Sequence, residues 1–122
     1  MKEIVAFIRP NKMGATRDAL AEAGFPGFAA KACLGRGRGM LPAVIEGVPN
    51  EILNSPVDEI LLRNSRLIAK RFFMTVVEDG EAERAVDVII NANKTGNMGD
   101  GRIFVLPVSE SYVVRTGEST GV

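Results

Sequence analysis

Histidine is absent from all 122 residues. That removes the commonest general base near neutral pH and the commonest transition-metal ligand. Cysteine is nearly absent as well. With Cys33 alone there is no internal disulfide, no Cys/His zinc cluster and no Cys-His dyad, and a reducing cytoplasm is the expected setting. Charge of one sign is missing too: Lys+Arg and Asp+Glu both number 15. A nucleic-acid partner, which calls for a basic excess, is not expected. No apolar run reaches the roughly 18–20 residues of a membrane span, so no membrane insertion is expected. The start, Met1-Lys2-Glu3-Ile4, lacks an apolar signal segment followed by a small-residue cleavage site. These absences disfavour an enzyme, although catalysis by carboxylates alone stays open.

What is present is a globular composition, 46% hydrophobic and 25% charged, of a length that suits one domain with a real core. Residues 1–9 alternate as a strand, with Ile4, Ala6 and Ile8 on one face and Val5 and Phe7 on the other. Pro10-Asn11 stops it, and Asn11 is placed to cap a helix carrying Met13, Thr16, Leu20 and Ala23 at helical spacing. Gly24 ends that helix, and residues 28–34 read as a second strand. After Gly35-Arg36-Gly37-Arg38-Gly39, residues 40–66 lose periodicity and carry Pro42, Pro49 and Pro56, the mark of a functional or disordered loop. A strand apolar on both faces ends at Val77. Asp79 is placed to cap a helix over 81–92 with Ala82, Val86, Ile89 and Ile90 as its buried stripe. A glycine-rich turn then leads to a strand over 102–108, a short strand around 112–115 and a tail expected to be flexible over 119–122.

The order strand, helix, strand, strand, helix, strand is the ferredoxin-like α+β arrangement, here with a long insertion. Two helices cover one face of a four-stranded sheet, yet the strands are apolar on both. The uncovered face therefore needs a partner, and an oligomer is expected.

The strongest local signal is Thr95-Gly96-Asn97-Met98-Gly99-Asp100-Gly101-Arg102-Ile103-Phe104. Glycines in a tight turn let backbone N–H groups converge on an anion, with Arg102 adding fixed charge. The competing reading is a helix-to-strand connection whose glycines merely turn the chain. Cys33 reads as a small core residue, and Glu81, Glu83 and Asp87 as a solvated helix face. Two functional classes stay alive, a ligand-gated regulatory subunit and a small transferase or ATPase using the same loop.

The run from Thr95 to Phe104 resembles the C-terminal signature of the PII signal-transduction family, Thr/Ser, three residues, then Gly-Asp-Gly-Lys/Arg-Ile-Phe. Val114-Arg115-Thr116-Gly117-Glu118, Arg9-Pro10, Ala19-Leu20-Ala21-Glu22 and Gly35-Arg36-Gly37-Arg38 are similar to other parts of that family. The resemblance implies a single domain over 1–118 with a recognition loop at about 38–66. It further implies a trimer, homomeric or mixed with a paralogue, with ATP or ADP in clefts between subunits. By position, Gly99, Asp100, Gly101 and Arg102 would cradle the phosphates, with Gly37 and Arg38 approaching from the loop base and Arg115 reaching across. Ala29 and Val76 would line the adenine end, and Lys70 would pair with a 2-oxoglutarate carboxylate.

Several positions depart from the family pattern. Val113 replaces a second arginine, Asn97 replaces a loop lysine, and Gly39 replaces a glutamine that helps hold Mg²⁺ and 2-oxoglutarate, so both of those ligands stay open. Tyr112 is the only tyrosine, which excludes tyrosyl modification of the long loop. A long divergent loop with Lys70 kept looks most like the nitrogenase-regulating (NifI-type) branch, which acts on dinitrogenase. Transporter or carbon-metabolism targets are the alternative. The loop is expected to be mobile alone and to respond to ligand.

Overall fold

Alternation in the first strand is realised as β1, Lys2–Ile8, with Ile4, Ala6 and Ile8 buried and Phe7 on the opposite face. The computed structural model describes residues 1–36 and 67–121. Arg9 is extended, as the residue before a proline must be, and Pro10–Lys12 form a tight turn that feeds α1, Met13–Glu22. β2 is Ala29–Gly35 and β3 is Ile68–Val77, followed by a turn at Asp79–Glu81. α2 is Ala82–Asn93, and β4 is Arg102–Pro107.

All strand pairings are antiparallel in the order β2-β3-β1-β4, so this is the α+β fold expected from the element order. α1 and α2 pack on one face of the sheet. The core there is Ile4, Ala6, Ile8, Leu20, Phe73, Val77, Ala82, Ala85 and Ile89. Thr16 and Asn93 are also buried between the helices, and the Asn93 amide donates to Thr16 Oγ1 at 2.8 Å.

The other face carries no helix. The register sets Val5 between Met74 and Phe104, and Phe7 between Phe72 and Arg102. Phe7 meets Phe72 and Phe104 edge-on, with ring centroids 5.6 and 6.4 Å apart. Phe104 and Leu106 are 48% and 41% exposed, so an aromatic and aliphatic surface faces water in the single chain.

Five local expectations are corrected. Asn11 caps nothing: it sits inside the Pro10–Lys12 turn, and α1 begins after Lys12 with no side-chain cap. Asp79 does not cap α2 either. Its carboxylate pairs with the Met1 ammonium at 2.8 Å, which holds its pKa below the ordinary value. The buried stripe of α2 runs through Ala82, Ala85, Ile89 and Asn93, leaving Ile90 42% exposed. Cys33 lies half-buried in edge strand β2, opposite Lys70, rather than in the core. Near the C-terminus a single Tyr112–Ser119 bridge replaces the short strand, and Thr120 N–H donates to the Ser111 carbonyl at 2.9 Å.

Candidate anion-binding site

The connection from α2 to β4 is organised by one carboxylate. Asp100 accepts from the Thr95 hydroxyl at 2.5 Å and from the N–H groups of Thr95 and Gly96 at 2.7 and 3.1 Å. Arg9 Nη1 adds an ion pair at 2.6 Å. Thr95 first, and then the arginine, favour the charged form, so the Asp100 pKa lies well below the usual carboxylate range. The carboxylate closes the turn on itself.

Two cations grip the same loop from the sheet. Arg9 Nη2 donates to the Met98 carbonyl at 3.0 Å, and Lys70 Nζ donates to the Gly99 carbonyl at 3.0 Å. Lys70 thereby keeps two further N–H donors for a second partner. A side chain at Gly99 would press on Arg9, its Cβ 3.3 Å from Nη2. Gly101 is more tightly required. Its φ is +123°, and a Cβ there would overlap the Phe7 carbonyl oxygen. Close approach to β1 therefore admits no side chain. Arg9, Lys70 and Arg102, with glycine backbone between them, make a locus of positive charge that suits an anion.

Gly99, Asp100, Gly101, Arg102 and Lys70 are thus brought together, and Arg9 joins them. Sequence reasoning gave Arg9 no role in the site. The available signal was a basic residue ending an otherwise apolar strand. Ala29 and Val76 are not part of this cluster. Ala29 opens edge strand β2 and Val76 lies in β3, whereas Arg102 opens the opposite edge strand β4. Three strand spacings of about 4.8 Å put the two edges roughly 14 Å apart. Arg115 stands on the exposed 114–116 turn and makes no hydrogen bond or ion pair among the described residues. Gly37, Arg38, Gly39 and the expected recognition loop at 38–66 lie outside the described residues. Among the described residues no group of three or more acidic or sulfur side chains could hold a metal ion.

On the helix side of β4 the same turn closes a second space of about 410 Å³ between α2 and β4. Its walls are aliphatic, and Asn93, Lys94, Asp100, Gly101 and Arg102 lie at its polar end.

The family model for nitrogen regulatory protein P-II matches residues 1–118. The chain belongs to the P-II family. A "nitrogen fixation nifHD region GlnB-like protein 2" from Methanothermobacter marburgensis is 42% identical over 118 residues, covering 97% of this chain and 95% of the relative. The protein of that name from Methanococcus maripaludis is 40% identical over 123 residues, covering 97% and 95%. "GlnB-like protein 1" of M. marburgensis is 40% identical over 118 residues, covering 97% of each chain. These relatives match the NifI-type branch that the long loop suggested. No helix among the described residues is long and apolar enough to cross a membrane.

Proposed function

We propose that this P-II chain is a non-enzymatic, trimer-forming regulator that binds ATP or ADP between copies and controls a nitrogen-metabolism protein in the cytoplasm. Dinitrogenase is the foremost target. One observation carries the reading. Lys70, which holds the glycine loop, and Val76 stand at opposite ends of β3, about 20 Å apart along the strand, with Ala29 beside the Val76 end, so a site that includes both the loop and Ala29 and Val76 is proposed to draw on two copies. The exposed Phe7, Phe104 and Leu106, with the half-buried Phe72 against Phe7, supply the apolar area that such association would remove from water.

Lys70, with two N–H donors left after its bond to Gly99, is the group for a 2-oxoglutarate carboxylate. Gly39 leaves Mg²⁺ without the usual side-chain ligand, so 2-oxoglutarate binding is proposed through charge pairing with Lys70. Two relatives numbered 1 and 2 in the same organism, at 40% and 42% identity, support a mixed trimer with a paralogue as well as a homotrimer. Residues 38–66 would carry the contact to the target.

Mixing two variants tests the shared cleft. Ala29→Glu and Arg102→Ala should each weaken ATP binding in calorimetry, the latter by about 1–3 kcal/mol, the range of a charge-assisted contact. Co-refolded together, they should regain tight binding in a fraction of clefts, because some pair a native β2 edge with a native loop. Failure of mixing to restore binding would place the nucleotide within one chain. Deleting residues 41–62 should abolish target control while sparing nucleotide affinity. Steady turnover of ATP by the native protein would overturn the non-enzymatic reading.

A further inference from the structure

The helix layer stops short of edge strand β2. Every residue of Ala29–Gly35 is exposed or half-buried, while the neighbouring β3 buries Phe73, Thr75 and Val77. The pairing sets Ala30 opposite Phe73, Ala32 opposite Arg71 and Leu34 opposite Ala69. Phe73 lies in the core beneath the helices, so these β2 residues stand on the helix side of the sheet with no helix over them. Leu34 is 67% exposed, and Leu67, just ahead of β3, is 39% exposed. At the other end Phe28 is 39% exposed and stacks on Phe73 with ring centroids 5.2 Å apart. The strip is therefore bulky at both ends and small in the middle, where the two alanines leave room for an approaching backbone. Phe28 to Leu34 spans about 20 Å, the length of about 13 residues of α-helix.

Its charge has one sign. Residues 28–36 and 67–77 contain no Asp or Glu. Arg71 shares the helix side with Ala32, and Arg36 follows the strand at the Leu34 end. Neither arginine has a side-chain hydrogen bond or ion pair among the described residues. A sheet buries its apolar side against helices, so the missing cover is a helix with one apolar stripe and carboxylates beside it. A second copy does not supply that stripe, because Leu20 of α1 and Ala85 and Ile89 of α2 are spent in its own core. A bilayer does not match a strip whose floor is alanine between raised ends.

We propose that the uncovered helix side of β2 is a docking surface for an acidic amphipathic helix of another protein. The apolar stripe of that helix lies across Ala30 and Ala32 between Phe28 and Leu34, and its carboxylates meet Arg71 and Arg36. Lys70 and Cys33 are on the opposite side of the sheet, so the surface is separate from the anion site and does not depend on the nucleotide reading.

The probe is a fluorescein-labelled peptide of about 14 residues, built from Ala, Leu and Glu with leucine at i, i+3, i+4 and i+7. Added to the full chain at low salt, it should give a saturable rise in anisotropy. Peptides with Lys for Glu, or Ser for Leu, should each bind at least about tenfold more weakly. Leu34→Ser and Arg71→Gln should each weaken the acidic peptide by about tenfold or more, with melting temperature and ATP binding unchanged. Absence of saturable binding, or full binding by Leu34→Ser, would overturn the proposal. So would a smaller assembly of Leu34→Ser in sedimentation, which would make the strip a contact between copies. Leu34-dependent binding to phosphatidylserine vesicles in place of the peptide would reassign it to a lipid surface.

Discussion

Gly101 and Gly24 both have positive φ, at +123° and +93°, but only Gly101 has backbone where a Cβ would stand. The two substitutions to alanine should differ accordingly. Gly24→Ala faces open space and should cost about 1–2 kcal/mol, the price of left-handed backbone alone. Gly101→Ala must also displace β1 from β4 and should cost at least about 3 kcal/mol in urea melts. Equal costs would mean that the loop does not approach Phe7 as described. Asp100 offers a test by pH. Its folded pKa lies below the unfolded value of 3.8, so the stability it confers is complete above 3.8 and is lost as pH falls through the lower folded value. Its carboxyl carbon should therefore still report the ionised form at pH 3.8, where an ordinary aspartate is half protonated. Thr95→Val removes the largest contributor and should move that titration upward. An unchanged midpoint would reassign the shift to Arg9.

At the scale of elements, α1 and α2 are joined by a buried polar bond as well as by Leu20, Ala85 and Ile89. Thr16 Oγ1 donates to the Lys12 carbonyl at 2.8 Å while accepting from Asn93, so one hydroxyl ties the start of α1 to the end of α2. Thr16→Val keeps the shape but strands the Asn93 donor. It should cost about 1–3 kcal/mol, read from the shift in denaturation midpoint at constant m-value. A cost near zero would show that Ile89 alone satisfies the amide. Neither helix start uses the capping side chain that its sequence offered. In both cases a tight turn precedes the helix and supplies the entry geometry, so Asn11 and Asp79 fall one turn too early to cap.

For the molecule as a whole, the proposed assembly rests on the open sheet face. Phe104→Asp places a charge beside Phe7 on that face, where burial against another copy would leave it unpaired. The native protein should sediment as a trimer at micromolar concentration, and the variant should sediment as a monomer that has lost ATP binding. A native monomer that binds ATP normally would refute the shared cleft.

The strand and helix order, the two-faced apolar patterning and the glycine loop were legible without coordinates, because periodicity and turn chemistry are local properties of the chain. Val5, Phe7 and Phe72 announced an uncovered face before any fold was known, and Thr95 to Phe104 carried the resemblance that the relatives match. Other features depended on residues distant in sequence. Arg9 reaches Asp100 across 91 positions and Asn93 reaches Thr16 across 77, and no local pattern encodes either meeting. Ile90 looked like core by helical spacing, yet it turns half-exposed toward β4 because the rotation of α2 is set by what Ala85 and Ile89 pack against. The sequence by itself determined which segments become strands and helices and which glycine-rich turn joins α2 to β4. The tertiary structure alone decided which cations reach that loop, that Ala29 and Val76 lie away from it, and that the Asn93 side-chain oxygen has no partner. The physical reason is that side-chain periodicity acts over a few residues, whereas charge pairing and hydrogen-bond satisfaction depend on distances that exist only once the chain has folded.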